Sequence, residues 1–229
     1  MLSHPTYPPD YPWEYRVGKV HFFGKDFLVN PDVLIPRLET ECLVRRARSY
    51  LKNYPVSCLI DIGTGSGIIG VSIADVGDDL IFTDISDSAL LLARENFQLH
   101  FPKRNALFIR SDLLSSIPDI IHHDILIVAN LPYIKWWDWD NMSADTRYEP
   151  ELALFGWDAT GFELYERLFI QLAKKRSYST RNVRLMIEFG FDQRTIAEEI
   201  ISSYGWKYEF FSDYAGIERF CDIIVQSDL

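Results

Sequence analysis

The spacing of apolar positions changes several times along the chain, and each change marks an element. Four prolines among residues 1–15, with aromatics between them, predict an extended arm and no helix there. Over residues 16–30, Val17, Val20, Phe22, Phe23, Phe27 and Val29 surround Gly18 and Gly24, which predicts a short hairpin. Thr40, between Glu39 and Glu41, is placed to cap a helix over 42–51, where Leu43, Val44, Ala47 and Leu51 recur at helical spacing.

Beyond Ser57 the pattern becomes strand, loop, helix, and repeats. Short apolar runs over 58–62, 80–83, 106–109, 124–128 and 184–188 predict strands, and amphipathic stretches over 68–74, 88–99, 163–175 and 193–204 predict helices. Such alternation gives an α/β fold with a mostly parallel sheet and helices on both faces. Two closing runs, 207–211 and 219–225, are near enough to pair antiparallel. The expected organisation is an arm, hairpin and first helix over 1–50, followed by a catalytic domain over 51–229. Residues 135–160 show no period, and a loop that long in a compact domain usually has a functional role.

Composition narrows the function classes. With 229 residues, 48% of them hydrophobic, the chain can bury a full core. The net charge of -10 argues against affinity built on neutralising many phosphates, so direct nucleic-acid binding is not expected. Cys42, Cys58 and Cys221 lie far apart, as buried thiols in a reducing compartment do, and no metal site is expected. His122 and His123 read as a solvated turn. No run approaches the roughly 20 apolar residues of a membrane span, and residues 1–12 lack the regions of a signal peptide, which points to the cytoplasm.

The main chemical signal is Asp61-Ile62-Gly63-Thr64-Gly65-Ser66-Gly67, between a strand and a helix. Its alternate glycines permit a tight turn and close backbone approach to a ligand. Asp84 ends the next strand, where a carboxylate binds ribose hydroxyls; Asp112 and Leu113 end the third, placed for an adenine amino group and ring face. The fourth strand runs into Asn130-Leu131-Pro132-Tyr133. A planar amide or aromatic amine is a poor nucleophile unless its N–H groups are held by acceptors. Asn130 offers a side-chain oxygen and Leu131 a carbonyl, Pro132 fixes the turn, and Tyr133 offers a flat wall. Asn130, Pro132 and Tyr133 are thus the candidate catalytic residues, with Asn130 also touching the cofactor.

The glycine loop resembles that of the class I methyltransferases. That resemblance implies S-adenosyl-L-methionine as cofactor and a Rossmann-like, seven-stranded, mostly parallel sheet with an antiparallel last strand. Further segments are similar to the HemK-like glutamine methyltransferases that modify peptide chain release factors. These are Leu34-Ile35-Pro36-Arg37-Leu38-Glu39-Thr40-Glu41, Arg147-Tyr148-Glu149-Pro150 with Ala153-Leu154, residues 158–165, and Asp213-Tyr214-Ala215-Gly216-Ile217-Glu218-Arg219. The resemblance implies methyl transfer to the glutamine of a Gly-Gly-Gln loop, with Glu149 joining Asn130, Leu131, Pro132 and Tyr133 at the substrate.

The chain departs from the family in two places. Leu131 replaces the first proline of N-P-P-Y, giving N-L-P-Y, which ribosomal RNA adenine dimethyltransferases also carry; the motif alone leaves amide and adenine both open. The family also usually places a helical partner-gripping domain before the hairpin, where a short arm stands here. A ribosomal-protein glutamine methyltransferase and an RNA or DNA adenine methyltransferase are the alternatives; the acidic balance and the Pro36 to Glu41 segment favour a protein, most closely a release factor. Trp136, Trp137 and Trp139 are expected either to rim the substrate cleft or to cover the sheet edge and the arm. Arg37 is expected near Glu39 or Glu149, orienting one of them or simply pairing with it.

Overall fold

The structure, a computed structural model, describes residues 7–75, 79–117, 124–157, 159–175 and 182–225. In chain order it contains α1 (Trp13–Val17), β1 (Lys19–Phe22), β2 (Lys25–Leu28), α2 (Thr40–Asn53), β3 (Cys58–Ile62), α3 (Ile68–Ile73), β4 (Asp79–Asp84) and α4 (Asp87–His100). There follow β5 (Leu107–Arg110), β6 (Asp124–Asn130), α5 (Glu151–Leu154), α6 (Glu163–Lys174), β7 (Asn182–Glu188), α7 (Arg194–Ser203), β8 (Lys207–Ser212) and β9 (Glu218–Val225).

β1 and β2 form the expected antiparallel hairpin, and the other strands form one seven-stranded sheet in the order β5-β4-β3-β6-β7-β9-β8. All pairs from β5 across to β7 are parallel. β9 runs antiparallel between β7 and β8, so the closing pair forms as expected and the last strand also slots inside the edge. Strand alternation sorts the core into two layers. Ile60, Ile127 and Leu185 face Tyr165, Leu168 and Phe169 of α6 and Ala197 and Ile201 of α7. Leu59, Leu126, Val128 and Met186 face Leu43, Val44 and Ala47 of α2, Val71 of α3 and Phe97 of α4. A smaller cluster of Tyr15, Val33, Ile35, Ala89 and Leu92 ties the N-terminal segment to α4.

Three local expectations are corrected. The arm is not extended throughout: α1 forms directly after Pro12, whose fixed φ suits a helix start, and Gly18 ends it at φ 70°. Thr40 is the first helical residue and not a side-chain cap; its hydroxyl accepts the side-chain amide of Asn130, and 3₁₀-type bonds serve the first turn. Residues 135–157 are not featureless but hold two 3₁₀ turns (Trp136–Asn141 and Thr146–Tyr148) and α5. His122, His123 and Asp158 lie outside the described residues.

Candidate active site

The order in which strands are added reverses between the parallel neighbours β3 and β6, and ligands of open α/β sheets bind at the carboxyl ends of such a pair. The glycine loop leaves β3 there. Asp61, 1% exposed, stands behind the loop: its Oδ2 accepts the Thr64 hydroxyl at 2.6 Å and the Gly70 N–H at 2.9 Å. Its Oδ1 is buried without a partner, and burial pushes the carboxyl up to about 7. Gly70 makes this possible, since a Cβ there would lie 2.4 Å from Phe82 Cε1 and 2.8 Å from the same Asp61 oxygen. Gly65, at φ 54° with open space where a Cβ would be, presents bare backbone to the cavity. Its N–H donates to Asp84 Oδ2 at 2.9 Å, while Asp84 Oδ1 accepts the Ser86 N–H at 2.9 Å; burial raises this carboxyl as well.

A cavity of about 720 Å³ opens above these groups, the volume of a nucleoside-sized pocket. Gly63, Thr64, Gly65, Ser66, Asp84, Asp112, Leu113, Asn130, Leu131 and Pro132 all line it. Asp61, Gly67, Tyr133 and Glu149, also expected at the site, stand outside its wall. The cradle fits the cofactor: a bare glycine backbone, a carboxylate at the end of β4 with spare lone pairs for a diol, and Asp112 beside Leu113. Leu113 holds φ 55°, in the left-handed region that costs a non-glycine residue about 1 kcal/mol or more. Arg167 of α6, which the sequence did not single out, lines the cavity and is ion-paired with Asp112 Oδ2, leaving Oδ1 for a second donor.

The Asn130 to Tyr133 segment is held from every side. Asn130 Nδ2 donates to Thr40 Oγ1 at 3.3 Å, which turns the amide oxygen away from Thr40. The Leu131 N–H donates to the Tyr165 hydroxyl at 2.9 Å, and that hydroxyl donates to the Glu188 carbonyl. Gly156 and Gly161 press against the next turn: a Cβ on the first would lie 2.5 Å from the Pro132 carbonyl oxygen, and on the second 2.2 Å from that of Tyr133. Gln193 closes the clamp, donating from Nε2 to the carbonyls of Tyr133 at 3.1 Å and Thr160 at 2.8 Å and accepting the Gly190 N–H at 2.7 Å. Tyr133 is half-buried beside Glu188, Arg219, Arg37 and Glu39, and burial drives its hydroxyl well above the ordinary phenol range.

Arg37 lines the cavity and pairs with Glu149 at 2.6 Å, resolving its partner between the two glutamates. The 5%-exposed Glu149 also accepts the Ile35 N–H at 3.3 Å, so it fastens the Ile35 to Arg37 segment, of which Pro36 and Arg37 line the cavity. Trp136 and Trp139 pack on Phe155, a wall residue, at ring distances of 4.7 and 5.7 Å, and Trp137 stays exposed. The arm packs elsewhere, with Tyr11 edge-on to Tyr148 at 5.1 Å. Gln193, Glu188 and Arg167 went unmarked in the sequence, and Thr40 was read only as a helix cap, because each acts on a partner distant along the chain. The one local signal was Gly70, a glycine inside an apolar helix.

The Methyltransferase small domain family model matches residues 41–138. The chain is 34% identical to a release factor glutamine methyltransferase of Enterococcus faecalis over 85% of this chain and 68% of that one. It is 35% identical to a ribosomal protein uL3 glutamine methyltransferase of Francisella tularensis, over 82% of this chain and 59% of that one. In fold it is similar to magnesium protoporphyrin IX methyltransferase of Synechocystis, solved with bound S-adenosylmethionine (TM-score 0.51, 15% identity, covering 82% of this chain and 78% of that one). With the glycine cradle and the clamped Asn130 turn in one cavity, and that identity over most of both sequences, the chain belongs to the S-adenosylmethionine-dependent release factor glutamine methyltransferase family.

Proposed function

We propose that this protein transfers a methyl group from S-adenosylmethionine to the side-chain amide nitrogen of the glutamine in a release factor Gly-Gly-Gln loop. The observation that carries this reading is the fixed orientation of Asn130 at the end of β6, in the wall of the cofactor cavity. When bound, the cofactor supplies an electrophilic methyl on a sulfonium. The chain supplies position. Asn130 Oδ1 and the Leu131 carbonyl accept the two amide hydrogens, Pro132 holds that carbonyl in place, and Tyr133, outside the cavity wall, backs the turn. With both N–H bonds engaged and the nitrogen lone pair turned toward the methyl, alignment and local dipoles lower the barrier without a strong base, and one amide proton leaves to solvent after transfer. Glu149 acts one step back, by fixing Arg37 in the cavity wall.

The partner is a protein met in the cytoplasm during translation, and its recognition requires no direct nucleic-acid contact, consistent with the net charge of -10. No helix among the described residues is long and apolar enough to cross a membrane. A second reading, methylation of a ribosomal-protein glutamine, is favoured by the 35% identity to the uL3 enzyme. The test incubates the protein with methyl-labelled cofactor and intact release factor, then with a release factor whose Gly-Gly-Gln glutamine is replaced by alanine. Label that disappears on replacement supports the assignment. Label that persists, or that appears only on ribosomal protein uL3, overturns it.

A further inference from the structure

Glu188 closes β7 directly opposite Asn130, its registered neighbour at the end of β6. The side chain is 1% exposed, and Oε2 has no hydrogen-bond partner. A carboxylate is not buried beside the reacting end of two strands without cost, and the sheet core around it gains nothing from a charge there. Its remaining neighbours are informative. The Thr40 hydroxyl and the Asn130 amide both act on it as hydrogen-bonding groups, and Arg219 faces it from β9. Arg219, however, is paired with Asp213 at 2.7 Å, and Glu39 adds a like charge from the start of α2. Tyr133 faces the same carboxylate from the loop after β6, with Arg37 near its ring.

The directions of these hydrogen bonds are linked. An ionised carboxylate only accepts, so Thr40 must spend its single proton on Glu188. Thr40 Oγ1 can then only accept from Asn130, as it does from Nδ2 at 3.3 Å. That leaves Asn130 Oδ1 as the atom presented to the cavity. A protonated Glu188 removes the constraint: its O–H can donate to Thr40, whose proton is then free to hold Asn130 Oδ1 in the opposite amide orientation. In that orientation Nδ2 faces the acceptor amide, donor against donor.

We propose that Glu188 is a positioning residue for methyl transfer, setting through Thr40 which end of the Asn130 amide meets the substrate nitrogen. It touches neither substrate nor cofactor. The inference rests on Asn130 acting as acceptor for the amide hydrogens, the reading given above, and goes beyond it by assigning what orients Asn130.

The experiment has an activity arm and an arm that needs no acceptor. Thr40→Val should lower kcat on the order of 10- to 100-fold, the loss expected for a hydrogen bond to a charged group, with cofactor Kd by calorimetry unchanged. Thr40→Ser should restore it. Wild-type kcat should fall as pH drops through about 7, where burial holds the Glu188 carboxyl, and Glu188→Gln should lack that acid limb. In the free protein, the Asn130 side-chain amide ¹⁵N signals, assigned by their loss in Asn130→Ala, should move over the same pH range and stay fixed in Glu188→Gln. Should Glu188→Gln fail to fold, the Thr40 pair and the wild-type titration decide. An acid limb that survives in Glu188→Gln, wild-type kcat in Thr40→Val, or a wild-type Asn130 amide that ignores pH would each overturn the proposal. Failure of release factor to accept label would leave the amide titration standing, so the two readings fail separately.

Discussion

Gly63 and Leu131 meet across the cavity wall so closely that a Cβ on Gly63 would stand 2.8 Å from Leu131 Cδ2. The glycine loop and the Asn130 to Tyr133 turn are therefore packed closely against each other. Gly63→Ala adds that clash to a backbone at φ 64°, where alanine is strained by roughly 1–2 kcal/mol. The expected outcome is a cofactor Kd weakened at least about tenfold, with Tm lower by roughly 2–8 °C at 2–4 °C per kcal/mol. Calorimetric titration with S-adenosylhomocysteine and a melting curve check both; unchanged Kd would show that the loops adjust independently.

Leu131→Pro restores the proline of the family motif and separates the two roles of this residue. Its carbonyl survives, so turnover should stay within a few-fold of wild type. Its N–H, which donates to the Tyr165 hydroxyl at 2.9 Å, does not, and a buried leucine side chain is exchanged for a smaller ring. Stability should fall by about 1–3 kcal/mol. A drop in kcat larger than tenfold without a change in Tm would mean that Leu131 contributes more to catalysis than its carbonyl.

The sheet was legible because its strands are short apolar runs whose alternate members face two layers, and a parallel core repeats that signal from residue 58 to 188. The cavity wall was legible where a motif is contiguous, as in Gly63 to Ser66 and Asn130 to Pro132. Thr40 shows what was not. Read locally, a threonine between glutamates before an apolar run is a helix cap; its actual partner, Asn130, lies 90 residues on. Asp61 was readable as a loop residue, but not as a group turned inward to Thr64 and Gly70, which depends on the packing of α3 over β3. The N-L-P-Y turn alone left amide and adenine both open; the Leu34 to Glu41 and Arg147 to Leu154 segments pointed to the family, and the 34% identity to a release factor glutamine methyltransferase bears that out.

Asp61 should leave a signature in the pH dependence of stability. Its carboxyl is raised from an ordinary 3.8 to about 7, so between those values the folded chain binds more protons than the unfolded one. Stability contributed by this site is present at low pH, declines as pH rises through that window and is flat above it. Glu188, raised to about 7 by burial, adds the same sign. Asp61→Asn keeps an oxygen for Thr64 and Gly70 and carries no charge to bury. The fall in Tm from pH 5 to pH 8 should therefore be smaller in Asp61→Asn than in wild type. Parallel curves would mean that Asp61 does not titrate in this window.

The Arg37 and Glu149 pair should be asymmetric under mutation. Arg37 has 33% of its side chain exposed, Glu149 only 2%, and burial already pushes the glutamate upward against the pull of the arginine. Removing Glu149 leaves a guanidinium that water can still solvate, whereas removing Arg37 leaves a buried carboxylate with one 3.3 Å bond to the Ile35 N–H. Arg37→Met should thus cost about 2–4 kcal/mol near pH 8, while Glu149→Gln, which keeps an acceptor for Ile35, should cost about 1 kcal/mol. The Arg37→Met deficit should shrink as pH falls and the stranded carboxyl takes up a proton. Denaturant melts of both variants at pH 5.5 and pH 8 measure the difference; equal costs at the two pH values would show that Glu149 is solvated when its partner is gone.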